Sequence, residues 1–225
     1  MNIEIVSRPG ASAAKITLAP EETLTSEAGS MIAVNNGVSI TTTTRKKSSG
    51  GILKAAKRLL AGESFFLNHY TGLREGGEVF LSSNLPGDMT VLDLKGQNFV
   101  VQSGSFVACA ETVDIDLGWQ GFKSILSGES VFWLKLSGAG QTIVSAFGAI
   151  YSMDVDGEYI VDSGHIVAFE ESLDFTITKA GSSWLHSILG GEGLVCKFHG
   201  RGRVWMQSHN PSAFGKHLGP KLKPR

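Results

Sequence analysis

At 225 residues, 42% of them hydrophobic, and a mean hydropathy of +0.06, the chain has the make-up of a soluble globular protein with one large core or two small ones. A formal net charge of −1 excludes the global basic field that draws proteins to nucleic acid. Only 18% of residues are charged and 28 are glycine, a balance that predicts many tight turns and short strands. Cys109 and Cys196 fall in apolar strand patterns and read as buried free thiols, so nothing here requires an oxidising compartment. No run reaches the ~18 apolar residues of a membrane-spanning helix, and MNIEIVSRPG lacks a basic region followed by a long apolar stretch. The expected location is cytoplasmic.

In chain order, Ile3–Val6 and Ala14–Leu18 read as short strands separated by Pro9-Gly10. Met31–Val34 and Val38–Thr43 flank Asn36-Gly37, a two-residue hairpin signal. RKKSSGG then reads as a basic loop. Over Ile52–Leu60, the residues Ile52, Leu53, Ala56, Leu59 and Leu60 share one helical face, with Lys54, Lys57 and Arg58 off it. Phe65–Thr71 and Val79–Ser83 are expected to pair with each other, and Thr90–Leu94 and Phe99–Gln102 to follow as strands. Val113–Leu117 and Leu173–Thr178 alternate as half-buried strands do. After each comes a short amphipathic segment: Trp119, Phe122, Ile125 and Leu126 in one, Trp184, Leu185, Ile188 and Leu189 in the other. Val131–Leu136 is expected to fold back on Thr142–Ala146, and Leu194–His199 on Val204–Ser208. Residues 211–225 read as a loosely attached, basic Pro- and Gly-rich tail.

These elements recur. EAGSMIAV (Glu27–Val34), QSGSFVAC (Gln102–Cys109) and DSGHIVAF (Asp162–Phe169) share one pattern, with Gly29, Gly104 and Gly164 in the same place. Such a glycine marks a φ above zero or a close backbone approach. Downstream of each comes a Gly-Glu turn at Gly62, Gly128 or Gly191, and then a second glycine turn, REGGE, SGAGQ or HGRGR. The spacing varies while the order holds, as insertions between equivalent strands would produce. The expectation is a mainly β fold of three internal repeats, roughly 14–83, 90–146 and 149–208, in a single compact domain, 1–210. The repeats are expected to close around a pseudo-threefold axis and so remove open sheet edges.

The SGSFVA-type anchors, the LLAGES and ILSGES turns and REGGEVFLSS closely resemble the family named for altered inheritance of mitochondria, protein twenty-four. The resemblance covers roughly Ile3 to Gln207. It implies a β structure of three repeats in the tryptophan RNA-binding attenuator-like (TRAP-like) fold, with β-barrel or double-stranded β-helix units and short helices. Eukaryotic members are associated with mitochondria and inner-membrane organisation. An Arg-rich, acidic-poor presequence is absent here, which favours a bacterial cytosolic member.

No catalytic, cofactor-binding or metal-binding residues are assigned. His69, His165, His186, His199, His209 and His217 form neither H-x-H nor H-E-x-x-H spacing. Ser30 and Ser105 follow glycines but lie in no G-x-S-x-G elbow. Glu63, Glu129 and Glu192 recur after glycine, where a carboxylate ordinarily accepts from turn amides. No glycine loop matches a nucleotide fingerprint. The candidate interface is the apolar set Ile52, Leu53, Leu59, Leu60, Trp119, Phe122, Leu126, Trp184, Leu185 and Leu189, with a basic rim of Lys54, Lys57 and Arg58; Arg45, Lys46 and Lys47 lie nearby. The expected function is that of a non-enzymatic scaffold or binding protein, a homo-oligomer that meets a protein partner or an anionic membrane surface. The alternatives are a small-ligand binder or enzyme with a pocket between repeats, and RNA binding by fold analogy. The charge balance argues against the last.

Overall fold

The computed structural model describes residues 1–44, 66–117, 133–179 and 194–223. The chain opens with β1 (Asn2–Val6). A first group follows: β2 (Ala13–Leu18), β3 (Thr23–Glu27), β4 (Met31–Val34), β5 (Val38–Thr44), β6 (Phe66–Gly72) and β7 (Gly77–Leu81). The second comprises β8 (Met89–Lys95), β9 (Phe99–Gln102), β10 (Phe106–Ala110), β11 (Val113–Asp116) and β12 (Trp133–Ser145). The third comprises β13 (Ile150–Asp162), β14 (Ile166–Glu170), β15 (Asp174–Lys179) and β16 (Leu194–Gln207). The protein is mainly β, with its named strands paired antiparallel in one four-stranded and one twelve-stranded sheet. Strand formation follows the alternation of the sequence: in β2, Ala14, Ile16 and Leu18 are buried while Lys15 and Thr17 face outward.

The three groups pair internally in the same way. In the first, β7 lies between β2 and β4, and β6 between β3 and β5. In the second, the C-terminal half of β12 lies between β8 and β10, and its N-terminal half between β9 and β11. In the third, β16 pairs with β13 along its length, with β14 on the other side of its C-terminal half and β15 beside its N-terminal half. One irregularity recurs at a constant distance from the anchor glycines. The ladder slips between Met31 and Ala33, between Phe106 and Ala108, and between Ile166 and Ala168, two and four residues after Gly29, Gly104 and Gly164. β-Bulges re-aim a strand at such points. Adjacent groups join edge to edge, β10 beside β3 and β14 beside β9.

The expected glycine hairpins are not made. Trp133–Leu136, the described part of Val131–Leu136, does not fold back on Thr142–Ala146: β12 runs continuously from Trp133 to Ser145, because Gly138 finds its partner in Val113 and Ala139 in Lys95. β16 is likewise one strand, so Leu194–His199 does not pair with Val204–Ser208. Nor do β6 and β7 pair with each other, or β4 and β5 across Asn36-Gly37; each pairs with a strand distant in sequence. These glycines serve close packing instead. A Cβ on Gly77 would lie 2.6 Å from the Gly37 carbonyl carbon, and one on Gly140 would lie 2.8 Å from Thr112 Oγ1. Gly37 and Thr112 both stand eight residues after their group's anchor glycine. The loop between the third and fourth strands thus crosses directly over the bend in the last strand, where only glycine leaves room.

The expected closure around an axis is not made by strand pairing. Among the described residues the larger sheet is an open path that ends at β5 and β13, and β4 is an edge of the smaller sheet. No closed barrel is formed among the described residues. The end of the chain differs from the expected loose tail: Pro211–Leu218 is a helix, α1, started by Pro at its first turn and by the Asn210 side chain, which accepts from the Ala213 N–H. Its Phe214 ring packs edge-on against Phe147 at 5.2 Å.

Among the described residues, three hydrophobic clusters fill the spaces between strands. One centres on Ile16, Leu24, Tyr70, Val79 and Leu81, and it also takes in Val107, Ala108 and Ile143 from the second group. The middle cluster includes Phe99, Val101, Phe106, Leu134, Leu136 and Val144. The last surrounds Phe169, which meets Phe198, Phe175 and Trp133 edge-on at 5.0, 5.3 and 5.9 Å. Each fully buried side chain of this kind contributes about 1.5–3 kcal/mol. Residues such as Val107 serve both neighbouring groups, so the cores are not independent.

Candidate functional site

The anchor glycines occupy corresponding places, each between the second strand of a group and its bulged third strand. Gly29 has φ +91°, as expected. A Cβ on Gly164 would collide with the Asn210 side chain, the expected close approach. Gly104 shows neither feature; it sits in an open 3-10 turn, Ser103–Ser105.

Polar side chains gather at these anchors. Two residues before the glycine stand Glu27, Gln102 and Asp162, and one after it Ser30, Ser105 and His165. In the third group this set is knitted together: Asp162 accepts from the Gly164 N–H at 2.8 Å, His165 Nδ1 lies 2.8 Å from the Gln207 carbonyl, and Gln207 Nε2 donates to the Gly164 carbonyl at 2.9 Å. In the first group it leaves a gap. Glu27, Ser30, Ser82, Ser83 and Asn84 face Gly104, Phe106, Val107 and Ser145 across the junction of the first two groups, around a polar cleft of about 60 Å³. Ser30 donates to the Glu27 carbonyl at 2.8 Å, which fixes the turn. Burial alone pushes the Glu27 carboxyl up to about 7. The cleft holds a protonatable group at neutral pH but has room only for a few waters or a very small molecule. Its legible signal was the polar residue two places before each anchor glycine.

A second polar group fastens the N-terminal arm. Asp88 accepts from Arg8 Nε at 2.8 Å and Nη2 at 2.7 Å, from Ser12 Oγ at 2.9 Å and from the Met89 N–H at 2.8 Å. Burial raises its pKa, but the bonds from Arg8, Ser12 and Met89 outweigh this and hold the carboxyl below its ordinary value. The bidentate geometry and the strand start at Met89 make this a structural clamp.

His69, His165, His209 and His217 are engaged locally. His69 lies between Thr25 Oγ1 at 3.0 Å and Thr43 Oγ1 at 2.7 Å; His209 pairs with Ser208 and His217 with Lys221. Among the described residues no three His, Cys, Asp or Glu side chains converge as metal ligands would. Cys109 and Cys196 form no disulfide; both are buried, and burial pushes the Cys196 thiol up to about 12.

All ten candidate interface residues lie outside the described residues: Ile52, Leu53, Leu59, Leu60, Trp119, Phe122, Leu126, Trp184, Leu185 and Leu189. So do Lys54, Lys57 and Arg58, Glu63, Glu129 and Glu192, and the glycines Gly62, Gly128 and Gly191. The three segments nevertheless enter the chain at one step of the strand order. Each connects two strands that pair with each other: β5 with β6, β11 with β12, and β15 with β16.

Two antiparallel sheets, like-paired strand groups and no membrane-length apolar helix among the described residues define the class as a mainly β protein. Residues 3–209 match the family described as mitochondrial biogenesis AIM24, and the chain belongs to that family. It is similar to the uncharacterized protein M6_Spy0233 of Streptococcus pyogenes serotype M6, at 29% identity over 162 residues. That alignment takes in 70% of this chain and 64% of the relative, so the chain spans under two thirds of the relative's length. The fold is similar to the crystal structure of SPYM3_0169 from Streptococcus pyogenes, with a TM-score of 0.78 and 24% identity over 98% of this chain and 99% of that one.

Proposed function

We propose that the protein is a non-enzymatic scaffold of the cytoplasm, built from three copies of one strand unit, that presents three apolar segments to a protein partner or an anionic membrane surface. The observation that carries this reading is the common insertion point of the segments, always between the two paired strands β5–β6, β11–β12 or β15–β16. The three segments, with Leu59, Leu60, Trp119, Phe122, Trp184 and Leu185, hold more large apolar residues than ordinary loops carry. Lys54, Lys57 and Arg58 give the first one a basic rim suited to acidic lipid headgroups. The like pairing and the recurrent bulge support the three-copy reading.

A pocket-based reading draws support from Glu27, a carboxyl that titrates near neutrality in a cleft between two groups. This cleft, at about 60 Å³, is several-fold smaller than metabolite sites of about 300–1,000 Å³; a concavity of about 450 Å³ between Gly96, Gln97 and Asn98 of the second group and Glu170, Glu171 and Ser172 of the third has that size. RNA binding has no comparable support, because the net charge is −1.

The test is replacement of Leu59 and Trp184 by Ser, with circular dichroism as the control for folding. Binding to vesicles containing phosphatidylserine, or retention of a partner, should weaken several-fold. Unchanged binding by the folded variant, or no binding by the native protein, removes the reading.

A further inference from the structure

The internal junctions have a fixed rule: the second strand of one group lies beside the third strand of the next. β3 meets β10 through Ala108–Ser26, Cys109–Thr25 and Ala110–Leu24. β9 meets β14 through Ala168–Val101, Phe169–Val100 and Glu170–Phe99. Three groups make two such junctions and leave one of each partner over. The third strand of the first group, β4, pairs with β7 alone among the described residues. The corresponding half of β13, Glu158–Asp162, likewise pairs with β16 alone among the described residues.

The leftover edges carry the apolar residues of a junction without its partner. Met31 and Ile32 on β4 are 45% and 55% exposed, whereas their counterparts Phe106, Val107, Ile166 and Val167 are at most 2% exposed. Tyr159 and Ile160 on β13 are 51% and 52% exposed, whereas Leu24, Phe99 and Val100 in the same places are at most 2%. Soluble proteins guard open edges with Lys, Pro or other charged residues. Met31–Val34 contains none, and in Glu158–Asp162 the charges stand only at the two ends, Glu158 and Asp162, leaving Tyr159–Val161 apolar between them. β4 also keeps the bulge that β10 and β14 use at their junctions.

We propose that these two edges pair with each other between copies of this chain, head to tail, β4 of one against the C-terminal half of β13 of the next. The register carries over from the internal junctions: Ala33 opposite Val161, Val34 opposite Ile160 and Asn35 opposite Tyr159. The partner is a second copy because the complement to each edge is the chain's own other edge. The contact is heterologous, so it propagates into a ring or a filament rather than stopping at a symmetric dimer. This deepens the scaffold reading by naming a partner, and it uses none of the three apolar segments.

The experiment uses two variants of the full chain, Ile32→Lys and Ile160→Lys, followed by multi-angle light scattering. Both side chains are exposed, so each variant should fold with the native circular dichroism spectrum. Native protein should scatter as a multimer of the 23.9 kDa chain, and each variant alone as a single chain. Each variant retains one competent edge, so their mixture should form a dimer of twice 23.9 kDa and nothing larger. Ile32→Thr and Ile160→Thr repeat the test if either lysine variant fails to fold. A native protein that remains one chain, single variants that still assemble, or a mixture that does not pair overturns the proposal. Leu59→Ser with Trp184→Ser should leave this assembly intact while reducing vesicle binding. Assembly lost there and kept in the edge variants would instead support the segment interface and refute edge pairing.

Discussion

Phe169 lies opposite Val100 in the ladder between β14 and β9, and both side chains are buried completely. Phe169 also centres the ring cluster of Phe198, Phe175 and Trp133. One residue therefore holds a junction and a core together. Phe169→Ala should lower unfolding stability by about 3–5 kcal/mol in urea titration, at the cost typical of a large buried aromatic. A loss below about 1 kcal/mol would show that the cluster collapses onto the gap.

The crossing of the third-to-fourth-strand loop over the last strand depends on glycine. A Cβ on Gly77 would stand 2.6 Å from the Gly37 carbonyl carbon, which is backbone and cannot rotate away. Gly77→Ala should cost about 1–3 kcal/mol, the range for forcing extra atoms into a packed site. Gly96→Ala is a useful comparison: a Cβ there has open space around it, and its penalty comes from φ +100° alone.

Glu27 should make stability depend on pH. Its folded value is about 7 against an ordinary 4.5. The folded state therefore keeps a proton that the unfolded chain releases, and stability from this group falls as pH rises from about 4.5 to 7. Glu27→Gln removes that dependence. Urea titrations at about pH 5 and 8 should show the Gln variant gaining on the native protein as pH rises; an unchanged difference would mean that the carboxyl is well solvated.

Asp88 acts in the opposite sense. Its folded value is lowered, so the stability it contributes is complete above the ordinary carboxylate range and is lost as pH falls through its folded value. Asp88→Ala should cost about 2–3 kcal/mol at neutral pH, as expected for loss of charge-assisted bonds from Arg8, Ser12 and Met89. The difference from native protein should shrink in acid.

Much of the local pattern was legible, because strand formation and the anchors are written in neighbouring residues. Alternation placed Val113, Ile115 and their like on buried faces, and Gly29, Gly104 and Gly164 marked corresponding turns. Partner choice was not legible. Asn36-Gly37 and SGAGQ carry strong local hairpin chemistry, yet β4 pairs with β7 and β12 runs straight on, because distant strands satisfy the same backbone groups. The cleft escaped notice for a similar reason: Glu27 loses water only when Phe106 and Val107 arrive from the next group. The open edges at Ile32 and Ile160 could be seen only once the internal junctions were known.

The central claim, that like units leave matching edges at the two ends of the chain, is tested most directly by a cross-link between those edges. Asn35→Cys and Tyr159→Cys in one chain place an exposed thiol on each edge at directly opposed positions of the proposed register, while Cys109 and Cys196 are buried and shielded from reagent. Treatment with a short bis-maleimide should give a ladder of covalent dimers, trimers and higher species, each requiring both cysteines. A single-chain product, closed internally or carrying only hydrolysed reagent, would contradict the claim.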